Sequence, residues 1–268
     1  MIRWNRKTRT LVLQLPRWRS HRLWMGVGLF LLLNILISYI DLPLAEYMKA
    51  QEDGAAVFFR KITKIGDSKY YLIPLALTLP FLLAARQALE AGSVRRLISW
   101  LASAISFVFC AVALSGLLIN ALKIVIGRAR PKLWFSEGIY GFAPLSFTES
   151  SYHSFPSGHS NTIMTLVLAL CFFLPRNRRW ILIAFGCLVA FSRVVITAHF
   201  LSDILVGGLL GIATTYWLRE EFTRRGWVFV KRKGEYRVQA PGFLLGQKIR
   251  ELLYSRLGLP DGPRGRLP

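Results

Sequence analysis

"LISWLASAISFVFCAVALSGLLINAL", Leu97 to Leu122, runs for 26 residues without a charge. As a helix it would be about 39 Å long at 1.5 Å per residue, enough to cross the roughly 30 Å hydrocarbon core of a bilayer. A stretch this long and this apolar reads as a membrane-spanning helix. The charges begin just outside it, with Arg95 and Arg96 before and Lys123 after.

Five further apolar runs repeat the pattern: approximately Leu23–Ile40, Tyr70–Ala85, Ser160–Leu174, Trp180–Ala198 and Ile204–Leu218. Pro74 and Pro80 interrupt the second of these, which a membrane helix tolerates where its neighbours satisfy the freed carbonyls. The expected fold is therefore all-α, a polytopic membrane bundle of six transmembrane helices. Its parts would be a basic arm over 1–22, a membrane domain over 23–218 and a basic tail over 219–268. No small-residue cleavage site follows the first run, so it reads as a retained anchor.

Of 268 residues, 53% are hydrophobic, yet Lys and Arg number 35 against 14 Asp and Glu. A soluble nucleic-acid binder would spread its basic residues through globular sequence. Here they cluster between apolar runs, so nucleic acid is not the expected partner. The arm before Leu23 carries Arg3, Arg6, Lys7, Arg9, Arg17, Arg19 and Arg22. The second-to-third connection holds Arg86, Arg95 and Arg96, and the fourth-to-fifth holds Arg176, Arg178 and Arg179. Positive loops stay in the cytoplasm, which places both termini inside. Cys110, Cys171 and Cys187 all fall within apolar runs with no CxxC spacing; they read as small buried side chains, neither a disulfide framework nor a zinc site.

The first-to-second loop contains two short amphipathic segments broken at Gly54, expected to lie on the membrane surface. Beyond the sixth run, alternation around Lys233-Gly234 suggests a hairpin. Phe243, Leu245, Ile249, Leu252, Leu253 and Leu257 then line one face of a possible surface helix, though a helix packed on the domain fits equally.

Ionisable residues at membrane depth are costly and start as functional candidates. Three groups of them converge on the outward side. In "KIVIGRARP", Lys123 and Arg130 stand seven apart, and Pro131 turns the chain out of helix at Arg130. A lysine point charge with an arginine fork suits a phosphate, although a basic end to a span would look the same. In "SFPSGHSN", Ser157, Gly158 and His159 precede an apolar helix, whose free amides form an anion site or are simply capped. In "SRVVITAHFLSD", His199 and Asp203 are four apart, so a helix through them would bring carboxylate to imidazole. Arg193 has no acid in its own span, which leaves an anionic ligand or a structural cluster to balance it.

Together these motifs, Lys-x6-Arg-Pro, Pro-Ser-Gly-His and Ser-Arg-x5-His-x3-Asp, resemble the three signatures of the type 2 phosphatidic-acid phosphatase superfamily, the lipid phosphate phosphatases. The resemblance covers Lys123 to Asp203. It implies His199 as nucleophile forming a phosphohistidine, Asp203 orienting it, and His159 as general acid then base. Lys123, Arg130, Ser157, Gly158 and Arg193 would hold the phosphate, with no metal and no cofactor. Arg128, Lys132 and His153 lie beside these motifs without belonging to them. The implied substrate is a membrane lipid phosphate, monoester or pyrophosphate, drawn from undecaprenyl pyrophosphate, phosphatidic acid, phosphatidylglycerol phosphate or a lipid A phosphate. The expected setting is a bacterial inner membrane, with the site facing the periplasm. A vanadate-dependent haloperoxidase shares such a site but is soluble. A non-catalytic phospholipid binder or transporter would not need His199 and Asp203 together.

Overall fold

The computed structural model describes residues 2–5, 10–13, 17–51, 54–232 and 234–239, with side chains from residue 23 onward outside 52–55 and 233. A two-stranded antiparallel hairpin, β1 (Ile2–Asn5) with β2 (Thr10–Leu13), precedes helix α1 (Arg17–Ile35). Helix α1 starts six residues before the first apolar run, and no hairpin was expected there. A π-helical turn, Leu36–Ile40, carries the chain without interruption into α2 (Asp41–Ala50). Helix α3 (Gly54–Ile62) and a 3-10 turn, Thr63–Gly66, lead to α4 (Lys69–Ala88), which retains Pro74 and Pro80 inside it. Then come α5 (Ser93–Ile126), the short α6 (Pro131–Glu137), α7 (Gly158–Cys171), α8 (Arg179–Val195) and α9 (Leu201–Arg224). The expected hairpin around residues 233–234 is present as β3 (Phe229–Arg232) paired with β4 (Glu235–Val238). The segment expected to form a surface helix over 243–257 lies outside the described residues.

Four helical segments among the described residues are long and apolar enough to cross a bilayer: Leu23–Ala50, Ala56–Ala88, Ser93–Ile126 and Leu201–Arg224. Six spans were expected, and four helical segments have spanning length. The fourth and fifth runs form α7, of 14 residues, and α8, of 17. At 1.5 Å per residue these are about 21 and 26 Å long, shorter than the hydrocarbon core. Helix α8 stops three residues before its run ends, where irregular backbone builds the site described below, whereas α7 begins two residues ahead of its run and stops at Cys171, at the opposite end. The helical bundle expected from hydropathy stands.

Helix α7 is the central element, packed against α5, α8 and α9. Small residues let it approach α9 closely: a Cβ on Gly211 would fall 2.5 Å from Thr165 Oγ1 and 2.7 Å from the Asn161 carbonyl. One turn earlier, a Cβ on Gly207 would fall 2.3 Å from the Ser157 carbonyl. This is the small-residue stripe, four apart, that membrane helices use for backbone contact. Buried Ser115, Asn161 and Thr165 join α5 to α7 by hydrogen bonds, Asn161 Nδ2 donating to Ser115 Oγ at 2.9 Å. At the far end of the bundle Phe107 is fully buried among Phe172, Phe173, Phe222 and Phe229, which draws the β3–β4 hairpin into the core. Helix α4 buries none of its side chains. Its exposed Leu77 and Phe81, with Trp24 and Phe30 of α1, form the apolar exterior that lipid would cover.

Candidate active site

Four chain segments end at one pole of the bundle: the C-terminus of α5, the N-terminus of α7, the C-terminus of α8 and the N-terminus of α9. Helix α5 stops at Gly127, whose φ of 59° is left-handed, and whose amide returns to the Lys123 carbonyl at 2.9 Å. No other residue fits there, because a Cβ would lie 1.8 Å from the Ala143 carbonyl oxygen. Lys123 is left in the last turn. Arg130 follows as the extended residue before α6, with Pro131 at the first helical position. The proline thus sets Arg130 outside the helix, as expected from sequence. Lys123 and Arg130 do not share a continuous helix face, since the helix ends between them.

Ser157 caps α7, its hydroxyl oxygen accepting from the Ser160 amide at 3.4 Å and from the Ser160 hydroxyl at 3.0 Å. Its own amide donates to the Asp203 carbonyl at 3.0 Å, tying the start of α7 to α9. Gly158 lies beside Lys123: a Cβ there would sit 3.6 Å from Nζ. At the end of α8, Thr197 adopts a left-handed φ of 50°, and the amides of Ala198 and His199 both return to the Arg193 carbonyl, at 3.0 and 3.2 Å. This turn throws His199 back over Arg193.

The sequence argument for the His199–Asp203 pair needs correcting in its cause. Helix α9 begins at Leu201, so His199 precedes the helix and is not on its face. The two meet because Asp203 folds back over the helix start, Oδ2 accepting from the Phe200 amide at 2.9 Å. His199 Nδ1 faces the same oxygen at 3.5 Å, beyond ordinary N–H···O range, and has no other hydrogen-bond partner. His199 is 2% exposed, and burial pushes its imidazole down to about 3 against the opposing pull of Asp203. The ring is therefore neutral near pH 7, with a lone pair free to react.

Behind Asp203 stands a charge network that the sequence did not reveal. Arg128, 1% exposed, donates from Nη1 to Asp203 Oδ1 at 2.6 Å and to Ser202 Oγ at 2.7 Å. Its Nη2 reaches Asp41 Oδ2 at 2.9 Å and the Tyr140 hydroxyl at 3.0 Å, and its plane lies 4.4 Å from the Phe200 ring centroid. Ser154 Oγ donates to Asp203 Oδ2 at 2.6 Å. Arg128 is thus consumed by protein partners and faces two buried carboxylates. His153 Nε2 meets the Ser146 carbonyl at 2.7 Å, holding the preceding loop, and Lys132 lies exposed on α6.

The functional residues missed from sequence are Asp41, Thr63, Ser154 and Ser202. Asp41 did carry a signal, as the first carboxylate in the chain and one set at the end of an apolar run. Ser154 sat in the stretch already singled out. Thr63 carried none.

The remaining cations are poised differently. Arg193 donates from Nη1 to Thr63 Oγ1 at 2.9 Å, but its buried Nε has no partner. Arg130 reaches only carbonyls, Ser150 from Nε at 3.1 Å and His153 from Nη2 at 3.4 Å. Lys123, Arg130 and Arg193 all act electrostatically on His159, and Arg193 and Arg130 act on His199. His159 opens on a cleft of about 120 Å³ with Gly66, Asp67, Asn120 and Gly158. Two imidazoles thus lie within electrostatic reach of cations that make no ion pair among the described residues, at the pole where these chain segments end. Among the described residues no three of His, Cys, Asp and Glu gather as a metal site would need.

Residues 103–227 match the PAP2 superfamily, a span that contains every residue of this site from Lys123 to Asp203. A lipid A 1-phosphatase of Rhizobium johnstonii is 37% identical over 132 residues, 49% of this chain and 52% of that protein. The corresponding protein of Rhizobium etli is 38% identical over 114 residues, 42% of this chain and 47% of that one. The chain thus spans about half the length of the curated relatives it matches. Among solved structures, a transmembrane PAP2-type phosphatidylglycerolphosphate phosphatase from Bacillus subtilis aligns with a TM-score of 0.50 at 24% identity. That alignment covers 74% of this chain and 96% of that one, which is a likeness of fold.

Proposed function

We propose that this chain is a member of the PAP2 superfamily, whose model matches residues 103–227, and a multi-pass membrane phosphatase that hydrolyses the phosphate of a membrane lipid through a phosphohistidine. The observation that carries the reading is the convergence of two imidazoles and three unpaired cations from four chain segments, with one imidazole backed by a buried carboxylate.

In the first step the free lone pair of His199 attacks phosphorus, a P–N bond forms, and the P–O bond to the lipid breaks. His159 gives its proton to the departing oxygen. In the second step His159 takes a proton from water, the resulting hydroxide attacks phosphorus, the P–N bond breaks, and inorganic phosphate leaves. Asp203 faces the proton-bearing nitrogen of His199 at 3.5 Å and offsets the positive charge that builds on the ring. Arg128, itself anchored by Asp41, holds that carboxylate in place. Lys123, Arg130 and Arg193 surround the three equatorial oxygens, and the α7 amides from Gly158 onward add a helix N-terminus. Ser157 serves this arrangement chiefly by capping α7. With three cations supplying neutralisation, the reaction needs no metal ion.

The hollow lies at the pole opposite Arg86, Arg95, Arg96, Arg176 and Arg178. By the positive-inside rule those loops are cytoplasmic, so both termini are inside and the hollow faces the outer side of a bacterial inner membrane. The phosphate would enter with its acyl chains still in the bilayer. Two relatives act on lipid A, which makes a lipid A phosphate the first substrate to assay, ahead of phosphatidic acid, phosphatidylglycerol phosphate and undecaprenyl pyrophosphate. The test is phosphate release from that panel by purified protein with excess EDTA, beside His199→Ala. Release that survives chelation and falls by at least about 1,000-fold in the variant is expected. Activity abolished by EDTA and restored by magnesium would refute the mechanism.

A further inference from the structure

The pole opposite the catalytic hollow carries a second, larger cavity of about 550 Å³ between the α4–α5 turn and the chain that follows α9. Arg95 lies 28 residues before Lys123 on α5, about 42 Å along the helix axis. That exceeds the thickness of the hydrocarbon core, so the cavity belongs to the other membrane face. Its wall includes Arg86, Arg95 and Arg96, with Trp100, Trp227 and Gln239, and no Asp or Glu lines it. No ion pair engages any of the three guanidinium groups among the described residues. The Trp100 Nε1–H is buried without an acceptor. Ser99 and Ser103 spend their hydroxyl protons on helix carbonyls, at 2.7 and 2.9 Å.

Three unpaired cations around one hollow repel each other, and an orphaned indole donor is unfavourable. An anion with several oxygen acceptors relieves both. Tryptophan favours the headgroup level of a bilayer, and basic pockets between helices on that side suit lipid phosphate. We propose that this cavity binds the headgroup of an anionic phospholipid from the leaflet opposite the catalytic hollow. The phosphodiester oxygens meet Arg95 and Arg96, and Arg86 closes the site from α4. The inference needs only a membrane-embedded chain and does not depend on the phosphatase reading.

Native mass spectrometry of the detergent-purified full chain, titrated with phosphatidylglycerol, phosphatidylcholine or inorganic phosphate, tests it. The expected result is a retained phosphatidylglycerol that Arg95→Gln/Arg96→Gln binds about 30-fold more weakly, about fivefold per charge removed. Arg86→Gln serves as a second variant and weakens it about fivefold. Arg193→Gln, at the other pole, leaves this binding unchanged and separates it from lipid held in the catalytic hollow. Retention unaltered in the double variant, equal retention of phosphatidylcholine, or full displacement by equimolar inorganic phosphate would each overturn the proposal.

Discussion

Replacing Arg128 by Met separates two readings of that residue more cleanly than any other single change. A signature-adjacent arginine beside a phosphate hollow invites the role of substrate ligand, whereas the structure spends all of its observed hydrogen bonds on protein groups. Met matches the length of the side chain and removes the charge, leaving Asp41 and Asp203, both with side chains at 0% exposure, facing each other uncompensated. Breaking a buried pair by deleting one partner destabilises by about 3–5 kcal/mol. For a chain of this size that lowers the melting temperature by about 6–20 °C. The assay is a fluorescence melt of detergent-purified protein, paired with phosphate release measured well below the melting range. Arg128→Met/Asp41→Leu should recover part of the loss, because it removes one of the two stranded carboxylates. A wild-type melting temperature for Arg128→Met, with activity gone, would refute the structural account and return Arg128 to the substrate.

Ser154→Ala removes the donor to Asp203 Oδ2 and should lower kcat about 5–30-fold with KM nearly unchanged. A rise in KM alone would mean that Ser154 touches the lipid. Gly211→Ala drives a methyl group into Thr165 and the Asn161 carbonyl and should destabilise by about 1–3 kcal/mol, read as a lowered melting temperature; an unchanged melt would show that α7 and α9 are not so closely packed. Acid sensitivity follows from His199. Its folded value of about 3 lies below the ordinary value of about 6.5, so between the two the unfolded chain holds a proton that the fold excludes. The stability this contributes is complete above about pH 6.5 and is lost as pH falls towards 3. His199→Gln should therefore flatten the acid side of a melting-temperature profile, and an identical acid slope would remove His199 as its source.

Much of the site was legible in the chain because its parts are local. Pro131 predicts where Arg130 leaves the helix, and the glycine and histidine before an apolar run predict a helix start with free amides. Arg193 in an apolar run predicts an anion. The helical bundle was legible for a similar reason, since hydropathy over twenty residues is a property of the segment alone. Helix lengths were less so. Hydropathy does not register that the ends of α7 and α8 are surrendered to turns, such as the left-handed Thr197 that carries His199 back over Arg193.

What the sequence determined by itself was the membrane class, the three motifs and the residue types fit to hold and cleave a phosphate. Tertiary structure alone decided how Asp203 is held. Asp41 and Arg128 are 87 residues apart, and nothing in either neighbourhood names the other. Their pairing exists because packing removes both from water, and an isolated charge there would be untenable. The same burial decides that Arg128 braces the carboxylate while Arg130, two residues later and bonded only to carbonyls, remains available to an anion.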